Sequence, residues 1–143
     1  MSKVQKTVKK SPATKKPMGL ELLEAVKSGQ IAEVISAIEA GEKFEIQDEA
    51  GVSPLMVAAY NDDHELVKLL LAKGAAVEKK DDIGYSALTY ASNAGSLKSV
   101  RLLLQNKADA NCKDKDNSTP IMFAAQHGFN EVIQLLLRGA VAP

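Results

Sequence analysis

The chain has 143 residues, of which 45% are hydrophobic, 25% charged and only 4% aromatic, with no Trp. That is the length of one domain, and its core must come from Leu, Ile, Val and Ala, which suits small packed helices better than a sandwich or barrel. The zero formal charge is unevenly divided: residues 1–17 hold Lys3, Lys6, Lys9, Lys10, Lys15 and Lys16 and no acid, so the rest carries 12 − 18 = −6.

Cys112 is the only cysteine, which excludes an intrachain disulfide and favours a reducing compartment. No apolar run follows the first lysines, so a secretory signal peptide is not expected. No stretch approaches the roughly 18 apolar residues of a membrane span. The expectation is a soluble intracellular protein, cytoplasmic, or nuclear if the source is eukaryotic.

Residues 1–17 form the first expected segment, a disordered arm of Lys, Thr, Ser and Pro with few apolar residues. Lys9-Lys10-Ser11-Pro12-Ala13-Thr14-Lys15-Lys16 suits a nuclear-import patch, a tether to nucleic acid or anionic lipid, or a phosphorylation-controlled tail. The simplest reading is a solubilising tail, or one resting on the acidic body.

Beyond the arm the chain repeats itself. Gly51, Gly84 and Asn117 are steps of 33, as are Ser53, Ser86 and Thr119, Leu55, Leu88 and Ile121, Ala58, Ala91 and Ala124, and Val67, Val100 and Ile133. Three Leu-Leu-Leu triplets starting at Leu69, Leu102 and Leu135 keep the same phase. Within each unit a polar cluster such as Asp48-Glu49-Ala50-Gly51 reads as a β-turn. Ser53-Pro54 and Thr119-Pro120 then read as a helix cap with Pro at the first helical position, and Ser86-Ala87 keeps the cap alone. An Ala-lined first helix follows, ended by Gly95 and Gly128 in the later units. A second helix carries the Val and Leu residues, closed at Gly74-Ala75 by a C-cap glycine. Neither helix can bury its apolar face alone, so the units must stack.

The 33-residue period, the Ser/Thr-Pro-Leu opening, the Ala-Ala pair, the Leu-Leu-Leu run and the Gly-Ala ending resemble the ankyrin repeat. The resemblance covers residues 19–143 and implies an all-α solenoid of about four stacked helix-turn-helix units joined by β-turn loops. Residues 18–143 then form the repeat domain, with units at about 19–47, 48–80, 81–113 and 114–143. The first is irregular, as a terminal unit with one face in water should be. In the last, the second helix is expected to end early, at Leu137-Arg138-Gly139. Two departures stand out. Met56, Thr89 and Met122 occupy the place where the family usually has His, which predicts a weaker hydrogen-bond network across turns, with Met packing instead. Asp62 replaces the Gly expected between two helices.

No catalytic constellation emerges. His64 and His127 lie near helix ends with no second ligand, and Cys112 has the position of a small residue at a unit junction. Asp48, Asp81 and Asp114 recur as exposed turn residues whose carboxylates bond to their own backbone. No enzyme, cofactor, metal site or small-molecule ligand is expected.

What the resemblance implies is a protein–protein interaction module, working alone as an adaptor or inhibitor, with a protein partner on the concave face made by turn tips and first helices. The alternative is a scaffold that the arm tethers to nucleic acid or an anionic membrane. By register, the contact positions in the second unit are Glu49, Ala50, Val52, Tyr60 and Asn61. In the third they are Asp82, Ile83, Tyr85 and Asn93, and in the last Lys115, Asp116, Ser118, Gln126 and His127. Gln47, Lys80 and Lys113 lie between units. Exposed apolar residues at tips suit an interface centre, so Tyr60, Ile83 and Tyr85 are the predicted anchors. The competing reading is that adjacent tips merely pack on one another. Val57, Tyr90 and Phe123, which recur at one position, read as a core layer. A monomer is expected.

Overall fold

A computed structural model describes residues 20–141, so the expectations for the arm lie outside the described residues. Eight helices follow the repeat in pairs: α1 (Leu20–Lys27) with α2 (Ile31–Glu39), α3 (Pro54–Tyr60) with α4 (His64–Ala72), α5 (Ala87–Ala94) with α6 (Leu97–Gln105), and α7 (Pro120–Gln126) with α8 (Asn130–Val141). Among the described residues there is no strand. The first helices stack in order, α1 on α3 on α5 on α7, and the second helices form a parallel layer of α2, α4, α6 and α8.

Local chemistry starts each first helix. Ser53 is extended, its side chain accepts from the Met56 amide, and the Met56 sulfur accepts from the Ser53 amide in return at 3.4 Å. Ser86 caps α5 in the same way through the Thr89 amide at 3.3 Å. Thr119 departs from its expected role: its backbone is extended, but its side chain makes no cap bond, and the Met122 amide donates to its carbonyl instead.

The helices end on residues with positive φ. At the close of α4, the Gly74 amide donates to the Leu71 carbonyl and the Ala75 amide to the Leu70 carbonyl, a closing pair that requires a left-handed residue at position 74. One period on, Lys107 (φ 74°) takes that place, its amide donating to the Leu104 carbonyl and the Ala108 amide to the Leu103 carbonyl, in a conformation that glycine adopts without strain. The last helix does not stop at Gly139 as expected. It runs on to Val141, with Gly139 against Leu104 and Ala110.

Small side chains set the distance between layers. Ala58, Ala59, Ala91, Ser92 and Ala124 are fully buried in the first-helix layer. Leu66, Val67, Leu70, Val100, Leu103, Val132 and Leu136 fill the second. Each buried Leu contributes about 2 kcal/mol, and helices this short cannot hold themselves, so a unit is stable only against its neighbours.

Asp62 stitches two units together. With φ at 56° it takes the left-handed place between α3 and α4, and its Oδ1 accepts from the Ser99 amide (3.0 Å) and hydroxyl (2.8 Å) in the next unit. It therefore caps α6, whose own N-cap Ser96 makes no side-chain cap bond. The Ser96 hydroxyl donates instead to the Tyr60 carbonyl.

The turn tips also join unit to unit. The Asp82 amide donates to the Ala50 carbonyl at 2.9 Å, and the Lys115 amide to the Ile83 carbonyl at 3.1 Å. A methyl group on Gly84 (φ 90°) would lie 2.8 Å from the Asp114 Cα, whereas one on Gly74 (φ 95°) would meet nothing within 4 Å. Gly74→Ala should thus cost about 1–2 kcal/mol from backbone strain alone, and Gly84→Ala about 2 kcal/mol more. Urea unfolding followed by helical circular dichroism measures the difference between the two variants.

Candidate functional site

Each tip is built around one aspartate. Asp48 Oδ1 accepts from the Ala50 and Val52 amides, Asp81 Oδ1 from those of Ile83 and Tyr85, and Asp114 Oδ1 from those of Asp116 and Ser118, all between 2.8 and 3.1 Å. The expected bonding to their own backbone is present. The expected exposure is not, since Asp81 is buried, with its second oxygen taking the Tyr90 hydroxyl, and Asp48 and Asp114 are half-buried. Burial opposes ionisation of Asp48, but the Lys27 ammonium at 2.9 Å and the Val52 and Ala50 amides outweigh it and hold the carboxyl below its usual range.

The predicted contact residues fall along the edge formed by tips and first helices. Tyr60 and Ile83 are about half exposed, at 49% and 52%. Glu49, Asn61, Asp82, Lys113, Lys115 and Gln126 are exposed, and Val52 and Asn93 are half-buried. Gln47 Nε2 donates to the carbonyls of Gly51 and Lys80, and Lys80 Nζ donates to the Lys113 carbonyl, so both side chains bridge units as well as facing solvent. Asn93 Oδ1 lies 3.1 Å from His127 Nε2, linking α5 to the end of α7.

Tyr85 is half-buried rather than exposed, because it is stacked. Its ring is edge-to-face with Tyr90 at 5.5 Å and with Phe123 at 5.3 Å, and Tyr90 meets Tyr60 edge-to-face at 6.3 Å. The four rings make one continuous run, Tyr60–Tyr90–Tyr85–Phe123, across three units. Each such contact adds about 0.5–1.5 kcal/mol beyond the area it buries.

Val57 and Tyr90 pack against the core as expected, both half-buried. Tyr90 and the half-buried Phe123 also stack on Tyr85, so their rings belong to the edge that holds Tyr60 and Tyr85 as well. Met122, expected to pack, is 54% exposed, while Met56 is buried. Thr89 restores part of the cross-turn network: its hydroxyl and that of Ser86 are 3.2 Å apart, and Cys112 Sγ lies 3.4 Å from Ser86 Oγ. Cys112 is itself buried, in the small-residue place expected of it. Among the described residues no three of His, Cys, Asp and Glu come together in a group able to hold a metal. No helix among them is long and apolar enough to cross a membrane.

Burial pushes the Tyr90 hydroxyl well above the usual tyrosine range, helped by its bond to Asp81 and by the charge of Asp48. Tyr85 is raised by burial and by the carboxylates of Asp114, Asp81 and Asp116. The folded chain thus holds both phenolic protons more tightly than the unfolded chain, and stability should fall as pH rises past about 10, where an unfolded tyrosine ionises. Tyr90→Phe should lose less stability than the parent chain between pH 9 and pH 11, as read from urea midpoints at the two pH values.

A search of curated proteins finds no match to the chain. The family description "Ankyrin repeats (3 copies)" matches residues 22–114 and again residues 92–142, which together span nearly all of the eight-helix stack. With turn tips, first helices and second helices all inside the matched residues, the chain belongs to the ankyrin-repeat family.

Proposed function

We propose that the chain is a stand-alone, non-enzymatic adaptor or inhibitor, acting in the cytoplasm, that takes up one protein partner on the concave face of its repeats. Ankyrin repeats are generally protein–protein interaction modules, which supplies the class. The observation that carries the reading is the aromatic run Tyr60–Tyr90–Tyr85–Phe123, continuous over three units and flanked by the half-exposed Ile83.

Rigid aromatic side chains on a fixed scaffold lose little freedom on binding, which is why such groups dominate interface energetics. Here each ring is held by its neighbour, and Tyr90 is further held by Asp81. Tyr60 and Ile83 stand at the solvent side of this run, where a partner can cover them. Glu49, Asn61, Asp82, Lys115 and Gln126 are exposed polar positions at the tips and first-helix ends of the same units, a composition that suits an interface rim. The tip carboxylates are occupied by backbone amides, so they shape the face and are not poised for acid–base chemistry.

The test is affinity capture of a partner, then titration with Tyr60→Ala and Tyr85→Ala. Each substitution should weaken binding by about 2 kcal/mol or more, roughly 30-fold, with the helical signal retained. Unchanged affinity in the more exposed Tyr60→Ala variant would remove the binding face from this edge.

A further inference from the structure

The last unit keeps a face that the inner units cover. Met56 and Thr89 hold one position of successive units and are 1% and 2% exposed, yet Met122 at the same position is 54% exposed. Ala59 and Ser92 are fully buried where Ala125 is exposed, and Leu55 and Leu88 are buried where Ile121 is half-buried. In the second layer Val67 and Val100 are fully buried, but Ile133 is half-buried and Leu137 is 52% exposed. Leu104, one period before Leu137, points to the following unit, since its side chain lies against Gly139. Ile121, Met122, Ala125, Ile133 and Leu137 thus continue the surface on which each inner unit seats the next, and among the described residues no unit follows α8.

That face is also uncharged. The helix α7 contains no ionisable residue, and Glu131 and Arg138 of α8 lie at least about a quarter turn around the helix from Ile133 and Leu137. The opposite end of the stack differs. Leu66, Ser99 and Val132 share one position, all buried, and the Ser99 hydroxyl bonds back to Asp62 of the preceding unit. In the first unit that position is Glu33, which is exposed. Glu21 is likewise exposed where Pro54, Ala87 and Pro120 are buried. One end therefore carries carboxylates at stacking positions, and the other carries apolar side chains.

We propose that the outer face of α7 and α8 pairs with the same face of a second copy of the chain, about a two-fold axis. A surface shaped to seat a helix pair then meets another helix pair, and neither side brings a charge that would lose its water. Head-to-tail stacking would instead bury Glu21 and Glu33 against uncharged side chains, at a cost the two-fold contact avoids. A two-fold contact is closed, so association stops at two copies. The helices α7 and α8 have 7 and 12 residues, about 11 and 18 Å of helix. A face two such helices wide is smaller than the roughly 800 Å² that each partner buries in a stable complex, so pairing is weak and the expected monomer is its dilute form. The edge with Tyr60 and Ile83 lies outside the paired face, so the dimer carries two copies of the proposed partner face. Only this last consequence rests on the proposed function; the pairing does not.

The test uses the full chain alone. Its mass in sedimentation equilibrium should rise from one copy toward two between about 10 μM and about 1 mM. The rise should persist at roughly 0.5 M salt, because an uncharged contact is not screened. Amide resonances of α7 and α8 should shift with concentration, while those of α1 and α2 stay fixed. Met122→Glu/Leu137→Glu should keep the mass of one copy throughout with its helical signal retained, since both side chains are already half exposed. If that variant loses its helices, the amide shifts of the parent decide. Tyr60→Ala should dimerise as the parent does. One copy at every concentration would overturn the proposal. So would a mass that climbs past two copies, loss of the dimer in salt, or concentration-dependent shifts centred on the Tyr60 edge, each of which assigns association to another surface.

Discussion

In each of the three described tips one carboxylate oxygen accepts from two main-chain amides, two and four residues further along the chain. This closes a turn that needs a left-handed residue at its far side, supplied by Gly51, Gly84 and Asn117. The closed turn then sits so near the next one that backbone bonds backbone, Asp82 to Ala50 and Lys115 to Ile83. Spacing between units is thus set twice, by small side chains in the first-helix layer and by tip-to-tip hydrogen bonds at the edge. Glu45 and Glu78 add to the second, each accepting an amide from the following unit, at Ala76 and Asp109.

The aromatic run depends on that spacing. Tyr85 belongs to a tip and Phe123 to the first helix of the next unit, so a slipped tip would separate their rings. Asp81 ties the two features together, since one oxygen closes the turn and the other holds the Tyr90 hydroxyl between Tyr60 and Tyr85. A face assembled this way is organised before any partner arrives, and less ordering remains to be done on binding.

Most of the fold was legible because its causes are local and periodic. Ser53, Ser86, Pro54 and Pro120 announce helix starts, Gly74 and Gly95 announce ends, and the Leu triplets mark the second layer. What escaped were features that depend on a neighbouring unit. Asp62 looked like a weakened glycine position, and only the next unit's Ser99 reveals it as a cap. Gly139 looked like a stop, yet α8 continues past it with Leu104 alongside. At the candidate site, sequence register placed Tyr60, Ile83 and Tyr85 on one edge. Periodicity marked Tyr90 as a residue that packs on the core, but not that its ring and that of Phe123 also stack with Tyr85 at that edge.

In the free protein the tips are locked to one another, not merely adjacent. Hydrogen exchange of the Asp82 and Lys115 amides tests this directly, because in a detached loop neither would have a fixed acceptor. Protection comparable to that of amides inside α6, such as Val100, is the predicted result. Exchange of these two amides at the rate of an open loop, with α6 still protected, would contradict it.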